Sequence, residues 1–287
     1  MPTDTIAYQG APGANSDLAC RSVFPAMTPL PCASFEDAFA AVHEGRARLA
    51  MIPVENSVAG RVADIHHLLP QGGLHIIGEH YQRVVHCLLA PKGATIAGLE
   101  EVHSHVQALG QCREYLRRHG IRPVTHADTA GAAADVAKLG DPARGAIASR
   151  LAAEIYGLDV LAEGIEDASH NTTRFLVMQK DPLVPARAEG PYVTSFVFRV
   201  RSVPAALFKA LGGFATNGVN MTKLESYMVD GRFTAAQFFA EVEGHPDDRA
   251  LRLALEELDF FAREVKILGV YPAHPFRIRQ GAADATA

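Results

Sequence analysis

Ser34-Phe-Glu-Asp-Ala-Phe-Ala-Ala-Val-His-Glu-Gly-Arg-Ala-Arg-Leu-Ala-Met-Ile-Pro-Val-Glu55 contains one helix and the strand that follows it. Ser34 and Asp37 make an S-x-x-D capping box, Phe35, Ala38, Phe39 and Val42 supply an apolar face at helical spacing, and Gly45 ends the helix. Leu49 to Glu55 then reads as a buried strand, apolar at almost every position. Helix-then-strand units of this kind build an α/β domain.

Outward from this unit the same pattern repeats. From Ile6 to about Lys180, short apolar runs alternate with amphipathic helical stretches. Ser104 to His119 reads as one helix with Gly120 behind it, and Pro123-Val-Thr as a strand; Asp128-Thr129 opens a small-residue helix that Gly140 closes. Gly145-Ala-Ile-Ala-Ser and Thr173-Arg-Phe-Leu-Val-Met read as two further strands. Between Asp181 and Pro191 the proline content suits neither element type and marks a domain linker. Beyond it lie a strand from Thr194, a helix from Pro204 to Ala215, and a turn at Asn217-Gly218. Two strands (Met221 to Val229, Thr234 to Val242) are joined by Asp230-Gly231, and a helix from Pro246 to Arg263 and a strand from Val265 to Tyr271 follow. The order βαββαβ implies a ferredoxin-like sandwich. The tail from Gln280 to Ala287 lacks apolar periodicity and reads as disordered.

The 287 residues, 48% hydrophobic and 21% charged, suffice for a sizeable core and suggest two domains. A net charge of −5 argues against a nucleic-acid partner. Arg113, Arg117 and Arg118 form a basic cluster at helical spacing, which reads as a solvated helix face. No apolar run approaches the roughly 20 residues of a membrane span. The start, Met1-Pro-Thr-Asp-Thr, lacks the basic stretch and apolar run of an export signal, so the expectation is a cytoplasmic protein with no membrane partner. Cys20, Cys32, Cys87 and Cys112 form no C-x-x-C pair and read as reduced packing residues rather than metal ligands.

Four segments carry candidate chemistry. Tyr8-Gln-Gly-Ala-Pro-Gly-Ala-Asn-Ser places Gly10 and Gly13 between a strand and a helix, where backbone N–H groups could hold a carboxylate, although the dinucleotide spacing is absent. Pro53-Val-Glu-Asn-Ser-Val-Ala-Gly sets polar groups at the end of a buried strand, where α/β sheets bind ligands; the alternative is that Asn56 and Ser57 cap a helix running toward Leu69. In His103-Ser-His-Val-Gln-Ala-Leu-Gly-Gln-Cys, Gln107 and Gln111 share a helix face and His105 sits at the dipole-positive end; no H-x-x-x-H or H-E-x-x-H pattern supports a metal. In Asn171-Thr-Thr-Arg-Phe, the guanidinium of Arg174 beside the hydroxyls of Thr172 and Thr173 suits a small dicarboxylate. The residues by themselves lead to a polar, cofactor-free cleft.

Taken in order, Glu55-Asn-Ser-Val-Ala-Gly, His103-Ser-His-Val-Gln-Ala-Leu, Asp128-Thr-Ala-Gly-Ala-Ala and above all Asn171-Thr-Thr-Arg-Phe resemble the motifs of prephenate dehydratases. The resemblance runs from about Ile6 to Arg277. It implies a two-lobed, periplasmic-binding-protein-like α/β catalytic domain over residues 1–182. One lobe is then about 1–82 with 171–182 and the other 83–170, with a ferredoxin-like ACT domain at 192–277. It implies decarboxylative dehydration of prephenate to phenylpyruvate in phenylalanine synthesis, with no cofactor and no metal. By motif position Thr173 is the catalytic hydroxyl and Glu55 a candidate proton source; Asn56, Ser57, Gln107, Thr129, Asn171 and Arg174 are substrate contacts, Arg174 for a carboxylate.

The same resemblance implies regulation by phenylalanine through Ala206, Leu207, Asn220, Leu224, Glu225 and Ser226, and a homodimer or homotetramer. Two departures bear on that regulation. Where many relatives have Gly-Ala-Leu this chain has Ala205-Ala-Leu, and where they have Glu-Ser-Arg-Pro it has Glu225-Ser-Tyr-Met. An arogenate dehydratase and a non-catalytic amino-acid sensor are the alternative functions.

Overall fold

The computed structural model of the chain describes residues 4–62, 65–201, 203–228 and 235–277. The expected Asp230-Gly231 turn and the tail from Gln280 lie outside them. The chain divides into two compact units, Met1–His66 with His80–Leu176, and His67–Glu79 with Val177–Ala287.

In chain order the first elements are β1 (Thr5–Gln9), α1 (Asn15–Val23), β2 (Thr28–Cys32), α2 (Phe35–His43), β3 (Leu49–Asn56), β4 (Gly60–Arg61), α3 (Ile65–Gln71) and β5 (His75–Arg83). Then follow β6 (Cys87–Ala90), β7 (Glu101–His105), α4 (Val106–Gln111), α5 (Arg113–His119), β8 (Arg122–His126), α6 (Thr129–Leu139), β9 (Arg144–Ala148), α7 (Arg150–Tyr156), β10 (Asp159–Glu163) and β11 (Thr172–Gln179). The first unit holds two sheets. One runs β11-β3-β1-β2, with β1 parallel to both β2 and β3; the other runs β10-β6-β9-β7-β8, parallel at β9-β7-β8 and antiparallel at its other edge. Two lobes result, joined by crossovers at 84–86 and 164–171.

Local signals hold where they were strongest. Ser34 accepts a hydrogen bond from the Asp37 N–H, and Asp128 one from Gly131. Gly120 and Gly140 end α5 and α6 in the left-handed conformation that glycine adopts at no steric cost. The helix expected from Ser104 to His119 is instead strand, α4 and α5, broken at Cys112. The break is made by the returning crossover: the Asp167 N–H donates to the Gln111 carbonyl at 2.6 Å, and the Asp167 carboxylate accepts the Glu114 N–H at the start of α5. No helix begins at Asn56 or Ser57 either; Asn56 ends β3, Ser57 opens the turn to β4, and α3 starts at Ile65.

The lobes are clasped at the first loop. Ser149 Oγ donates to the Gly13 carbonyl at 2.5 Å, and Tyr156 OH to that of Pro12 at 2.8 Å. A Cβ on Gly13 would lie 2.7 Å from the Ala152 Cα, so only glycine permits this approach. The N–H groups expected to hold an anion are already taken, Gly10 by the Cys32 carbonyl and Gly13 by the buried Asp17 carboxylate.

The second unit contains β12 (Tyr192–Val200), α8 (Ala206–Thr216), β13 (Met221–Met228), β14 (Ala235–Glu243), α9 (Arg249–Phe261) and β15 (Ala262–Pro272). Its sheet order, β13-β14-β12-β15, is the ferredoxin-like arrangement, and the residues of β5 in this unit add a parallel strand beside β15. Phe196, Phe198, Phe214, Phe238 and Leu251 form the core between the sheet and the two helices. Arg277 crosses back to bind two buried carboxylates, Glu79 at 2.7 Å and Glu241 at 2.8 Å.

All four cysteines are buried and unpaired. Burial pushes the thiols of Cys20, Cys32 and Cys112 upward and that of Cys87 up to about 11, so they stay protonated packing groups. The exposed Arg113, Arg117 and Arg118 lie on α5. Among the described residues no helix is long and apolar enough to cross a membrane.

Candidate active site

Within the first unit a cleft of about 580 Å³ is lined from both lobes. The C-terminal ends of β1, β3, β7 and β8 open onto it, the position where parallel α/β sheets bind ligands. Gln9 ends β1 and Gly10 follows it; Ala14, Asn15 and Ser16 lead into α1; Asn56 ends β3, and residues 59–62 carry the chain through β4; Asp128 and Thr129 begin α6. Two helices of at least nine residues therefore start at the cleft, and their dipoles favour negative charge there. Asp128 already caps α6, whereas α1 has no side-chain cap. Among the described residues Arg61 is the only Lys or Arg in the lining.

A chain of amides runs along the floor with a polarity that geometry dictates. Asn56 Oδ1 accepts the backbone N–H groups of Val58 at 3.0 Å and Ala59 at 2.8 Å, which fixes the orientation of its amide. Asn56 Nδ2 must then be the donor to Asn171 Oδ1 at 2.7 Å and to Thr173 Oγ1 at 3.0 Å. Asn171 Nδ2 donates in turn to Gln111 Oε1 at 2.9 Å, and Gln111 Oε1 also receives His86 Nε2 at 2.7 Å. Thr173 Oγ1 accepts from Asn56, so its own proton is free to point elsewhere, and Thr173 lines the cleft. Burial holds the His86 imidazole below the ordinary histidine range, the Gln111 bond and the Glu166 charge opposing only in part.

The expected site residues fall into two sets. Asn56, Gln107, Thr129 and Thr173 line the cleft; Glu55, Ser57, Asn171 and Arg174 do not. Asn171 is buried beneath it as the central link of the amide chain. Ser57 accepts the Thr172 N–H at 2.9 Å and donates to the His170 carbonyl, tying the β3 turn to the start of β11. The Arg174 side chain is 2% exposed and bonds Glu55 Oε1 at 2.9 Å, joining β11 to β3. Thr173 and Phe175, one strand period apart, take the cleft side of β11.

Arg61 and His86 were not singled out in the sequence. Arg61 follows the glycine that ends the second motif, in the two-residue strand β4, which pairs back against Glu55 and Asn56. His86 sits in the first crossover, just before the apolar strand β6. Neither carries a local pattern, and only the fold-back of the hairpin and the path of the crossover reveal them. His103 and His105, considered as a pair, separate: His103 bonds Glu101 at 3.0 Å, while His105 lines the cleft and accepts the Gln107 N–H through Nδ1. Among the described residues no three His, Cys, Asp or Glu side chains are grouped to hold a metal.

Residues 6–183 match the family model described as prephenate dehydratase. The bifunctional N-acyl-homoserine lactone acylase/prephenate dehydratase of Komagataeibacter europaeus is 53% identical over 95% of this chain and 97% of its own length. The chloroplastic arogenate dehydratase/prephenate dehydratase 1 of Arabidopsis thaliana is 41% identical over 93% of this chain and 71% of its own. Among solved structures, the prephenate dehydratase of Arthrobacter aurescens in complex with L-Phe superposes with a TM-score of 0.86 at 27% identity, covering 98% of this chain and 99% of that one. With the Thr173 cleft lying inside the matched segment and the likeness extending over nearly the full length, the chain belongs to the prephenate dehydratase family of lyases.

Proposed function

We propose that the chain converts prephenate to phenylpyruvate by decarboxylative dehydration, a step of phenylalanine synthesis, with no cofactor. The observation that carries this reading is the fixed amide polarity around Thr173, which leaves a hydroxyl proton for a leaving group in the cleft. In the reaction the bond from the ring to its carboxylate breaks and its electron pair enters the ring. The ring C–O bond breaks at the opposite carbon, and carbon dioxide and hydroxide depart, one proton from solvent turning hydroxide into water. Aromatisation drives the process, and the barrier lies in charge developing on the departing oxygen. A hydroxyl is too weak an acid to surrender its proton unaided, so Thr173 acts as an aligned donor, a role worth about 10²–10³ in rate when such a donor is preorganised.

In this reading Asn56 and Asn171 orient Thr173, and Gln107 and Thr129 contact the substrate. Arg61 and the uncapped start of α1 take a carboxylate. Glu55 and Arg174, paired with each other outside the lining, brace the strands rather than touch substrate, and Ser57 holds the turn.

Residues 1–182 form the catalytic domain and 192–277 an ACT domain that responds to phenylalanine, supported by the βαββαβ sandwich and by the L-Phe bound to the Arthrobacter relative. Ala206 and Leu207 line an open cavity of about 460 Å³ with Val200, Pro204 and Phe238. Asn220 bonds Glu243 at 3.1 Å; on β13, Leu224 and Ser226 are exposed, and Glu225 pairs with Lys223 at 3.0 Å. Pairing through this sheet would give a cytoplasmic homodimer or homotetramer.

The test is to incubate purified protein with prephenate, and separately with arogenate, and follow phenylpyruvate and phenylalanine with and without added phenylalanine. Phenylpyruvate is expected. Preferential use of arogenate would move the chain to the arogenate dehydratase activity that the Arabidopsis relative is also named for, and no product from either would leave an amino-acid sensor. The 53% identity to the Komagataeibacter protein favours a second activity, cleavage of N-acyl-homoserine lactones, read in the same preparation as release of homoserine lactone.

A further inference from the structure

His86 belongs to none of the sequence motifs, yet it is the point at which both crossovers and the amide chain meet. Its N–H donates to Glu166 at 2.9 Å, and its carbonyl accepts the N–H groups of Gly164 and Ile165 at 3.0 and 3.2 Å. Its ring is buried and reaches Gln111 at 2.7 Å. At the other end of the chain Asn56 is pinned by two backbone donors. Among the described residues the side-chain amides of Gln111 and Asn171 bond no backbone group; they are oriented only by the two ends of the chain, Asn56 and His86, and with one end lost they can turn over, exchanging donor and acceptor.

We propose that His86 is a positioning residue whose Nε2–H holds, from the far end, the polarity that Asn56 imposes on Asn171 and Gln111, and so keeps Thr173 and Gln111 as donors toward the cleft. With Gln111 Oε1 filled by His86 and Asn171, the Gln111 N–H groups are what it offers to a ligand, and it lines the cleft. Without the imidazole, Gln111 can turn over and present N–H to the N–H of Asn171. Asn171 then turns its own amide nitrogen on Asn56 Nδ2, and the donor-to-donor conflict moves Asn56 off Thr173. The crossover in which His86 sits links the lobes, so the ring carries their relative position to the hydroxyl on β11.

This inference rests on the dehydratase reading, and the experiment separates the two. If the wild-type chain forms no product from prephenate or arogenate, that reading fails and takes the inference with it. If it does, His86→Met is expected to lower kcat about tenfold with KM within about threefold, the scale of one lost buried hydrogen bond, while His86→Gln, which keeps a donor near Nε2, retains most of kcat. Unchanged kcat in His86→Met, or a loss that His86→Gln fails to recover, would overturn it. Should His86→Met not fold, nitrogen NMR of the imidazole in the wild-type chain decides: a neutral ring protonated on Nε2 is required, and a ring protonated only on Nδ1 would overturn the proposal.

Discussion

Thr173 is one of several hydroxyls in the cleft, and what distinguishes it is the Asn56 amide against its oxygen. Replacing Thr173 by Val removes the donor while keeping the shape of the side chain. It is expected to lower kcat by about 10²–10³ with little change in KM, whereas Thr173→Ser keeps most of the rate; steady-state assay with prephenate distinguishes them. Asn56→Asp is a sharper test, because it keeps both acceptor bonds to Val58 and Ala59 but exchanges the donor for a second acceptor. Thr173 would then donate to that carboxylate and no longer to the leaving oxygen, so kcat should fall about as far as in Thr173→Val, with circular dichroism unchanged. Equal rates in Asn56→Asp and wild type would remove the polarity argument. Arg61→Met should act on binding, raising KM about tenfold or more through loss of a charge-assisted contact to a carboxylate. The guanidinium expected at that contact, Arg174, is paired with Glu55 between β11 and β3, a pairing not written in the five residues around it.

Helices and strands show where local signals suffice. α2 and α6 follow their caps and glycines, and β9 and β11 follow their apolar runs. α4 and α5 do not form one helix, because Asp167, more than fifty residues away, supplies partners at their junction. α8 shows an element under strain. Ala205, immediately before it, has φ of 60°, the only non-glycine residue with positive φ among those described. The left-handed region costs a residue with a Cβ about 1–2 kcal/mol, part of which glycine returns through its greater freedom in the unfolded chain. Ala205→Gly is therefore expected to stabilise the second unit by about 0.5–1 kcal/mol, seen as a higher midpoint in denaturant, and no gain there would show that the turn is relaxed with alanine.

At the scale of the whole molecule, burial lowers the proton affinity of three histidines among the described residues, His75, His80 and His86. Each binds its proton more weakly folded than unfolded, so unfolding takes up protons once the pH falls below the ordinary histidine value of about 6.5. The stability they contribute is complete above that value and is lost as the pH falls toward their folded values. The thermal midpoint should therefore drop between about pH 7 and about pH 5, with a shallower slope in His86→Gln; a midpoint independent of pH across that window would contradict the burial of these rings. The βαββαβ order of the second unit, the helices α2 and α6, the apolar strands β3, β9 and β11 and the motif segments were legible in the sequence alone, because caps, turn residues and apolar period act over a few residues. Which residues meet in the cleft was decided only by the tertiary structure. Facing a cleft depends on strand pairing, on the path of two crossovers and on who satisfies each buried amide, and those partners come from positions far apart in the chain, as His86, Gln111, Asn171 and Asn56 do.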